Sequence, residues 1–93
     1  MAILSVSVVS ADQEVWTGEA KQLITRTVEG EIGILPGHEP IMAILGAGEV
    51  RITLADGSVV KAMAEDGFLS VAHDVVTVVA RTASLTAAIA DSH

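Results

Sequence analysis

The sequence predicts an all-β protein, an antiparallel sandwich or barrel built from about nine short strands. Three observations lead to this prediction. β-branched residues are abundant, apolar and polar residues alternate in several short segments, and turn-forming residues separate these segments at close, regular spacing. Of the 93 residues, 51% are apolar, which is enough to fill the core of one small domain.

The first strands precede residue 30. Over residues 3–9, apolar and polar side chains alternate with the period of two that is typical of a strand. A short second strand is predicted around Trp16, and a third over residues 20–28. A lone tryptophan is usually a packing residue, so we expect Trp16 to lie in or against the core rather than to form a binding platform.

A stretch rich in glycine and proline occupies residues 30–40, with the sequence GEIGILPGHEP. Glycine reaches backbone conformations that are closed to other residues, and proline fixes φ and donates no backbone N–H. The apolar residues Ile32, Ile34 and Leu35 should be held against a core. We therefore predict a tightly shaped loop with an anchored base. Composition alone favours a structural corner between strands, and a docking loop is the alternative.

The second half of the chain continues the strand pattern. Residues 41–45 are apolar throughout and are interpreted as a strand, because they are few and glycines follow them. A hairpin then pairs residues 49–54 with 59–63 through a turn at Asp56-Gly57, which is a strong turn signal. A second hairpin pairs residues 68–72 with 75–80 and is joined at His73-Asp74.

The last residues of the chain have a different pattern. Leu85, Ala88 and Ile89 sit at helical spacing, but the segment is about as short as the lower limit for a helix alone in water. We therefore divide the chain into a β-sandwich domain over residues 1–81 and a short tail over residues 82–93, for which the spacing favours a helix.

Charge and composition argue against several functions. The formal charge is −7, and the five basic residues are scattered along the chain, which disfavours binding to nucleic acid or to an anionic membrane surface. The absence of cysteine excludes a disulfide framework and a thiolate metal site. The longest apolar stretch, residues 41–45, is far too short to cross a bilayer.

No catalytic constellation is found in the sequence. His38, His73 and His93 lack metal-ligand spacing, and no nucleophile with an orienting acid accompanies them. The glycine-rich stretch lacks the lysine and hydroxyl of a phosphate-binding loop. We therefore expect no enzyme activity, no cofactor and no metal. The candidate binding surface is the loop of residues 30–40 with Ile41 and Met42 beside it.

From about residue 4 to residue 80, the chain resembles the N-terminal β-sandwich domain of the epsilon subunit of F-type ATP synthases. Residues 30–40 match the family's GE-x-GILPGH-x-P signature, and four shorter matches keep the same order and spacing. These are Val8-Val9-Ser10-Ala11, Gly48-Glu49-Val50-Arg51-Ile52, Gly67-Phe68-Leu69 with Val71, and Val76-Thr77-Val78-Val79-Ala80. The resemblance implies two packed antiparallel sheets of about five strands each, hence about ten strands.

The resemblance also implies a role. The chain would be a non-catalytic rotor subunit of the central stalk, coupling the gamma subunit to the ring of c subunits in proton transport and reaching the catalytic hexamer indirectly. Carried over by position, the c-ring-facing residues are Glu29, Gly30 and Glu31, and the gamma-facing residues are Ser10, His38, Ile41 and Met42. Membrane association would come only through the complex, at the cytoplasmic face of a bacterial plasma membrane rather than the stromal face of a thylakoid.

The chain departs from the family pattern in two ways. Family members usually continue with two C-terminal helices, which can inhibit ATP hydrolysis and in some members bind ATP. Only thirteen residues follow Ala80 here, too few for a helical hairpin, so we expect the hairpin to be absent and carry neither property over. Asp66 stands where the family usually has glycine, and Arg81 where it usually has aspartate. The residues alone leave open a small acidic β-sandwich binding module of unrelated role, and a self-associating domain that uses residues 41–45.

Overall fold

The computed structural model describes residues 3–11 and 13–89, and side chains in this part up to residue 85. These residues form strands and turns, and within them no helix is long and apolar enough to cross a membrane. The strands are β1 (Leu4–Ser10), β2 (Glu14–Ala20), β3 (Gln22–Thr27), β4 (Gly30–Ile34), β5 (Ile41–Thr53), β6 (Val59–Ala72) and β7 (Val75–Ile89). The all-β class predicted from the alternation of side chains is confirmed.

The strands form one mixed sheet in the order β2-β1-β7-β6-β5-β3-β4. Its neighbouring strands are antiparallel except β1 and β7, which run parallel with Ser5 opposite Val75 and Ser10 opposite Ala80. The antiparallel prediction rested on turns between consecutive strands. It does not hold for β1 and β7, because no hairpin joins these two strands and their direction is not set by a turn.

The long strands β5, β6 and β7 bend and change which residues face the core. In β6, Val60, Ala62 and Ala64 are buried in the first half, whereas Leu69 and Val71 are buried in the second. Side chains alternate strictly across a straight strand, so the change from even to odd positions marks a bend. The same change occurs in the other two strands, between residues 45 and 50 and between residues 80 and 83.

The bends divide the sheet into two layers with the core between them. The first layer contains β1, β2 and residues 41–45, 67–72 and 75–80, and the second contains β3, β4 and residues 48–53, 59–65 and 82–89. The largest fully buried side chains come from both layers and include Leu4, Leu23, Ile34, Ile52 and Leu69. The resemblance predicts about ten strands. They correspond to the four short strands β1–β4 and to the two halves of each of the three long strands β5–β7, packed as a sandwich.

The bends lie in one row across the sheet, which we call the corner. The flanking pairs are Ile44 with Phe68, Gly48 with Ala64, Glu65 with Thr82 and Gly67 with Ala80. This register places Gly46, Asp66 and Arg81 opposite one another at the corner. Asp66 has a φ of 56°, and a Cβ on Gly67 would overlap the carbonyl oxygen of Val79. The corner therefore requires a left-handed backbone conformation at Asp66 and glycine, which has no side chain, at residue 67.

Trp16 packs against the core and is half-buried, as the sequence predicted. Its ring lies over Gly18, where an added Cβ would come within 2.7 Å of the ring carbons Cζ2 and Cη2. The indole thus covers backbone that glycine leaves open on β2, and it completes the core at the edge of the first layer.

The helical prediction for the tail is wrong for residues 82–89. Strand β7 continues to Ile89 and pairs with β6, where Val60 lies opposite Ala88. Helical spacing at Leu85 and beyond is a weak local preference, whereas the adjacent strand offers a row of backbone donors and acceptors that an extended segment satisfies. Residues 90–93, including His93, lie outside the described residues, and the division of the chain after residue 81 stays a prediction.

Candidate partner-binding surface

The loop between β4 and β5, residues 35–40, is shaped by a few specific hydrogen bonds. The His38 N–H donates to the Leu35 carbonyl oxygen at 3.1 Å and closes a turn. Gly37 has a φ of 88°, and its N–H donates to Oδ1 of Asp74 at 2.7 Å. The ring nitrogen Nδ1 of His38 lies 2.7 Å from the carbonyl oxygen of Glu39, to which it donates. The loop therefore has a defined shape.

The base of this loop is anchored through β4. Ile34 is fully buried and Ile32 packs against the core, as the sequence predicted. Leu35 is 56% exposed, so the prediction that it is held against the core is wrong. The reason is the alternation along β4, which directs Ile34 inward and the next side chain outward.

An exposed apolar patch begins beside the loop, on the outer face of the first layer. Met42 is 72% exposed and Ile44 is 64% exposed, because they alternate with inward-facing residues of β5. Phe68 is also exposed and lies opposite Ile44 on β6. The exposed Val28 joins them, since its N–H donates to the Ile44 carbonyl oxygen at 3.0 Å. We call Val28, Met42, Ile44 and Phe68 the apolar patch.

The four residues carried over to the gamma side are only partly together. Met42 is exposed in the apolar patch, and Ile41 precedes it but packs against the core. His38 lies in the loop that leads into β5. Ser10 ends β1, which β7 and β6 separate from β5, and its N–H and hydroxyl donate to the Gln13 carbonyl oxygen at 2.8 and 3.2 Å.

The turn between β3 and β4 carries all three residues carried over to the c-ring side. Thr27 pairs with Gly30 across the turn, and Gly30 has a φ of 128°, a conformation that glycine adopts readily. The Thr27 hydroxyl accepts a hydrogen bond from the Glu29 N–H at 3.2 Å and donates to the Gly30 carbonyl oxygen at 2.9 Å. Glu29 and Glu31 are exposed, so the turn presents two carboxylates to solvent.

A hollow of about 210 Å³ joins this turn to the apolar patch. Its lining residues are Thr27, Val28, Glu29, Met42, Ala43 and Ile44. Glu29 of one predicted group and Met42 of the other therefore border the same depression. The structure thus brings one residue of each group to a common edge, which their positions in the sequence do not indicate.

The outer face of the second layer is charged. Arg26, Glu31, Glu49 and Arg51 line an open depression of about 400 Å³, and Nη2 of Arg51 lies 3.1 Å from Oε1 of Glu49. Lys61 lies opposite Arg51 on β6. Three of the five basic residues thus share one face, although they are scattered in the sequence. Only the strand register brings them together, so sequence reasoning missed this surface.

One carboxyl group has a shifted pKa. The hydroxyl of Ser58 donates a hydrogen bond to Oδ1 of Asp56 and lowers the pKa of that carboxyl, and the Ser58 N–H, at 2.9 Å, adds to the effect. Both residues belong to the turn between β5 and β6, where Gly57 has a φ of 93°. In the described part of the chain, no three histidine, aspartate or glutamate side chains are placed to hold a metal ion.

The chain is similar to known proteins over most of its length. Residues 3–86 match the family described as ATP synthase, Delta/Epsilon chain, beta-sandwich domain. The ATP synthase epsilon chain of Micrococcus luteus is 51% identical over 85 residues, covering 91% of this chain and 93% of that protein. The ATP synthase epsilon chain of Streptomyces coelicolor is 43% identical over 84 residues, covering 90% of this chain and 68% of that protein.

A solved structure has the same fold. It is a chain in the cryo-EM structure of the Euglena gracilis mitochondrial ATP synthase, with a TM-score of 0.85 and 24% sequence identity. The match covers 91% of this chain and 54% of that chain, so the present chain spans about half the length of that neighbour.

Proposed function

The chain belongs to the ATP synthase delta/epsilon family through its β-sandwich domain, and we propose that it acts as the epsilon-type rotor subunit in the central stalk of an F-type ATP synthase. It carries out no chemistry of its own. It joins the gamma subunit to the c ring, so that proton-driven rotation reaches the catalytic hexamer indirectly. The observation that carries this proposal is the identity to bacterial ATP synthase epsilon chains over nearly the whole of this chain.

The apolar patch is the proposed contact with the gamma subunit. Met42 and Ile44 project from the first layer with most of their surface in water, and grouped apolar side chains of this kind are usually covered by a protein partner. His38 extends the surface along the loop. Ile41 contributes by anchoring the start of β5 in the core. Ser10 would take part where the gamma subunit reaches across the first layer to β1.

We add Ile44 and Phe68 to this proposed contact, because both are exposed in the apolar patch with Met42. Sequence reasoning missed Ile44 because residues 41–45 are apolar throughout, so their composition does not reveal which of them face outward. It missed Phe68 because only the strand register brings this residue opposite Ile44. The predicted strand over residues 41–45 could have indicated that Ile44 accompanies Met42. Once residues 41–45 are taken as a strand, Met42 and Ile44 must share one face, and one of the two faces must be outside.

The turn bearing Glu29, Gly30 and Glu31 is the proposed contact with the c ring. Exposed carboxylates on a projecting turn can meet polar or cationic loops, which improves specificity and the rate of association more than raw affinity. The net charge of −7 agrees with partners of this kind and disfavours nucleic acid. The hollow that Glu29 and Met42 both line supports the proposal that the two contacts are neighbours on the surface.

Membrane association follows from the assembly. Epsilon chains of bacterial ATP synthases are the relatives of this chain, which indicates a membrane-associated complex. We propose that the chain lies at the cytoplasmic face of a bacterial plasma membrane and is held there by its partner subunits. The stromal face of a thylakoid is the less favoured location.

Calorimetric titration of the chain with the gamma subunit of the same synthase tests the gamma contact. The wild type should form a complex, and His38→Ala combined with Met42→Asp should raise Kd by about tenfold or more, equivalent to about 1.4 kcal/mol. Met63→Asp is the control for the new charge, because it makes the same substitution at an exposed methionine of the second layer, away from the apolar patch. Unchanged affinity in the first variant would remove His38 and Met42 from the interface.

The c-ring contact is tested in the reconstituted enzyme. Glu31→Lys should weaken coupled proton pumping without lowering the unfolding temperature of the domain, because the exposed carboxylate has no described hydrogen-bonding role in the fold. Glu14→Lys is the control, since it makes the same charge change on β2, at the opposite end of the strand order. Full coupling in Glu31→Lys would contradict the assignment.

A further inference from the structure

The turn between β6 and β7 contains two residues in a conformation that they disfavour. His73 has a φ of 51° and Asp74 a φ of 61°, and the flanking residues Ala72 and Val75 pair with each other. A two-residue hairpin turn with positive φ at both positions strongly favours glycine at the second one. Asp74 occupies that position, and a non-glycine residue there costs free energy.

Asp74 joins three separate segments of the chain. Its Oδ1 accepts the Gly37 N–H at 2.7 Å, which is at the short end for such a bond and is charge-assisted. Its carbonyl oxygen accepts the Ser5 N–H at 2.8 Å, so β1 fixes its backbone. The side chain therefore provides an interaction that glycine could not, and this interaction offsets the strain of the turn.

The loop of residues 35–40 depends on this bond. Strand β4 ends at Ile34 and β5 begins at Ile41, so neither strand holds the middle of the loop. The bond from the His38 N–H to Leu35 and the contact of its ring with Glu39 both lie inside the loop. Among the described residues, the carboxylate of Asp74 is the hydrogen-bond partner that ties the middle of this loop to the sheet.

We propose that Asp74 is a positioning residue for the contact with the gamma subunit. Its carboxylate holds Gly37, so that the loop presents His38 beside Met42 in the conformation that the partner binds. This inference rests on the proposed function. Without the carboxylate, the free loop samples other conformations, and the apparent affinity falls with the fraction of molecules whose loop is in the binding conformation.

Three variants distinguish the effect of the Asp74 carboxylate from the effect of the backbone conformation of the turn. Asp74→Gly removes the carboxylate and relieves the positive φ, so the fold should be at least as stable. Asp74→Asn keeps an acceptor oxygen in the same place, and asparagine tolerates this conformation. His73→Gly relieves the neighbouring residue of the same turn and leaves the carboxylate unchanged.

Amide order parameters and affinity for the gamma subunit are measured on each variant, and thermal unfolding checks the stability of the fold. In the free chain, ¹⁵N relaxation should show the order parameters of the Gly37 and His38 amides falling from about 0.85 to below about 0.6 in Asp74→Gly alone. Calorimetry with the gamma subunit should show Kd rising about tenfold in the same variant. Asp74→Asn and His73→Gly should match the wild type in both measurements, and thermal unfolding of Asp74→Gly should not shift downward.

The possible results are distinguishable. Wild-type affinity in Asp74→Gly would overturn the positioning role and leave the apolar patch as the docking surface. A loss of affinity that Asp74→Asn also shows would assign the effect to charge at the interface, which likewise overturns the positioning role. Failure of the wild type itself to bind the gamma subunit would overturn the proposed function, and this inference with it.

Discussion

The outer faces of the two layers share the long strands β5, β6 and β7 but differ in the side chains that these strands expose. On the first layer, β5 and β6 place Ile44 opposite Phe68; on the second, the same strands place Arg51 opposite Lys61. Ile44 and Phe68 form an exposed apolar pair, which is unusual for a protein surface. In the cationic pair, the carboxylate of Glu49 lies 3.1 Å from Arg51 and offsets part of the positive charge. A bend that changes the phase of a strand thus lets one strand contribute to an exposed apolar face on one layer and to a charged face on the other.

This difference between the two outer faces originates at the corner, where the long strands change which residues face outward. Without the change of phase, the outward positions of the first layer would continue as outward positions of the second, and one pattern of side chains would cover both. The corner is therefore the feature whose alteration should affect both faces together. Changes on either face should affect that face alone.

The largest effect is expected from Gly67→Ala, which disturbs the corner. The new Cβ would overlap the carbonyl oxygen of Val79, and its neighbours there are backbone atoms that cannot move aside cheaply. We expect the free energy of unfolding to fall by about 3 kcal/mol or more, measured by denaturant titration. Gly33→Ala is the control, because its nearest neighbour would be the Ile24 side chain at 4.0 Å. Equal losses in the two variants would show that the corner has no special packing requirement.

The second prediction compares the faces directly through binding of the gamma subunit. Ile44→Glu places a charge in the apolar patch and should raise Kd at least about tenfold, because a desolvated carboxylate would replace a buried apolar contact. Met63→Glu makes the same charge change at an exposed methionine of the second layer and should leave Kd within about threefold. Calorimetry on both variants decides the matter, and equal weakening would mean that charge rather than the patch governs binding.

A smaller gain of stability is expected from Asp66→Gly. The φ of 56° at Asp66 is a left-handed conformation that glycine adopts without steric cost. Removing this strain should increase the free energy of unfolding by about 0.5–1 kcal/mol. Glu65→Gly, one residue earlier in regular strand, should instead destabilise, since glycine there only adds freedom to the unfolded chain. A destabilised Asp66→Gly would show that the aspartate side chain itself supports the corner.

The smallest effect concerns the acid stability of the second layer. Hydrogen bonds from Ser58 lower the pKa of Asp56 in the folded chain. Their contribution is therefore complete above the ordinary carboxyl pKa and is lost as the pH falls through the lowered value. Asp56→Asn keeps the acceptor oxygen but cannot be protonated in this way, so its stability should fall less steeply in acid. Superimposable unfolding profiles of the two proteins between neutral and acid pH would contradict this.

Short patterns in the sequence were sufficient to predict many of the strands and turns. The alternation over residues 3–9 and the turns at Asp56-Gly57 and His73-Asp74 all correspond to observed strands and hairpins. The bends have the local signature of turns, because the glycines at 46 and 48 and the acidic pair before Gly67 resemble strand ends. A short window cannot tell a bend that keeps its pairing from a turn that ends a strand. The distant pairing of β1 with β7 leaves no local signal at all.

The residues of the candidate site likewise fall into two groups, those that the local sequence keeps together and those that only the fold brings together. Glu29, Gly30 and Glu31 are consecutive, so any turn at this point keeps them together. The apolar patch joins residues from three places in the sequence, and Phe68 reaches Ile44 only through the register of β5 and β6. Asp74 was interpreted simply as a turn residue, because nothing in its neighbourhood in the sequence indicates that it contacts Gly37.

The parallel pairing of β1 with β7 has a consequence for how the chain folds. The first strand leaves the ribosome early, but its inner neighbour is the last strand, so the first layer stays open until residues 75–80 are available. Closing so long a stretch of chain has a large entropic cost before any pairing compensates it. We expect folding to be slow for a domain of this size, and the first layer to form only after residues 75–80 have been synthesised. Until then, β1 and β2 form a hairpin whose inner edge is free to pair wrongly.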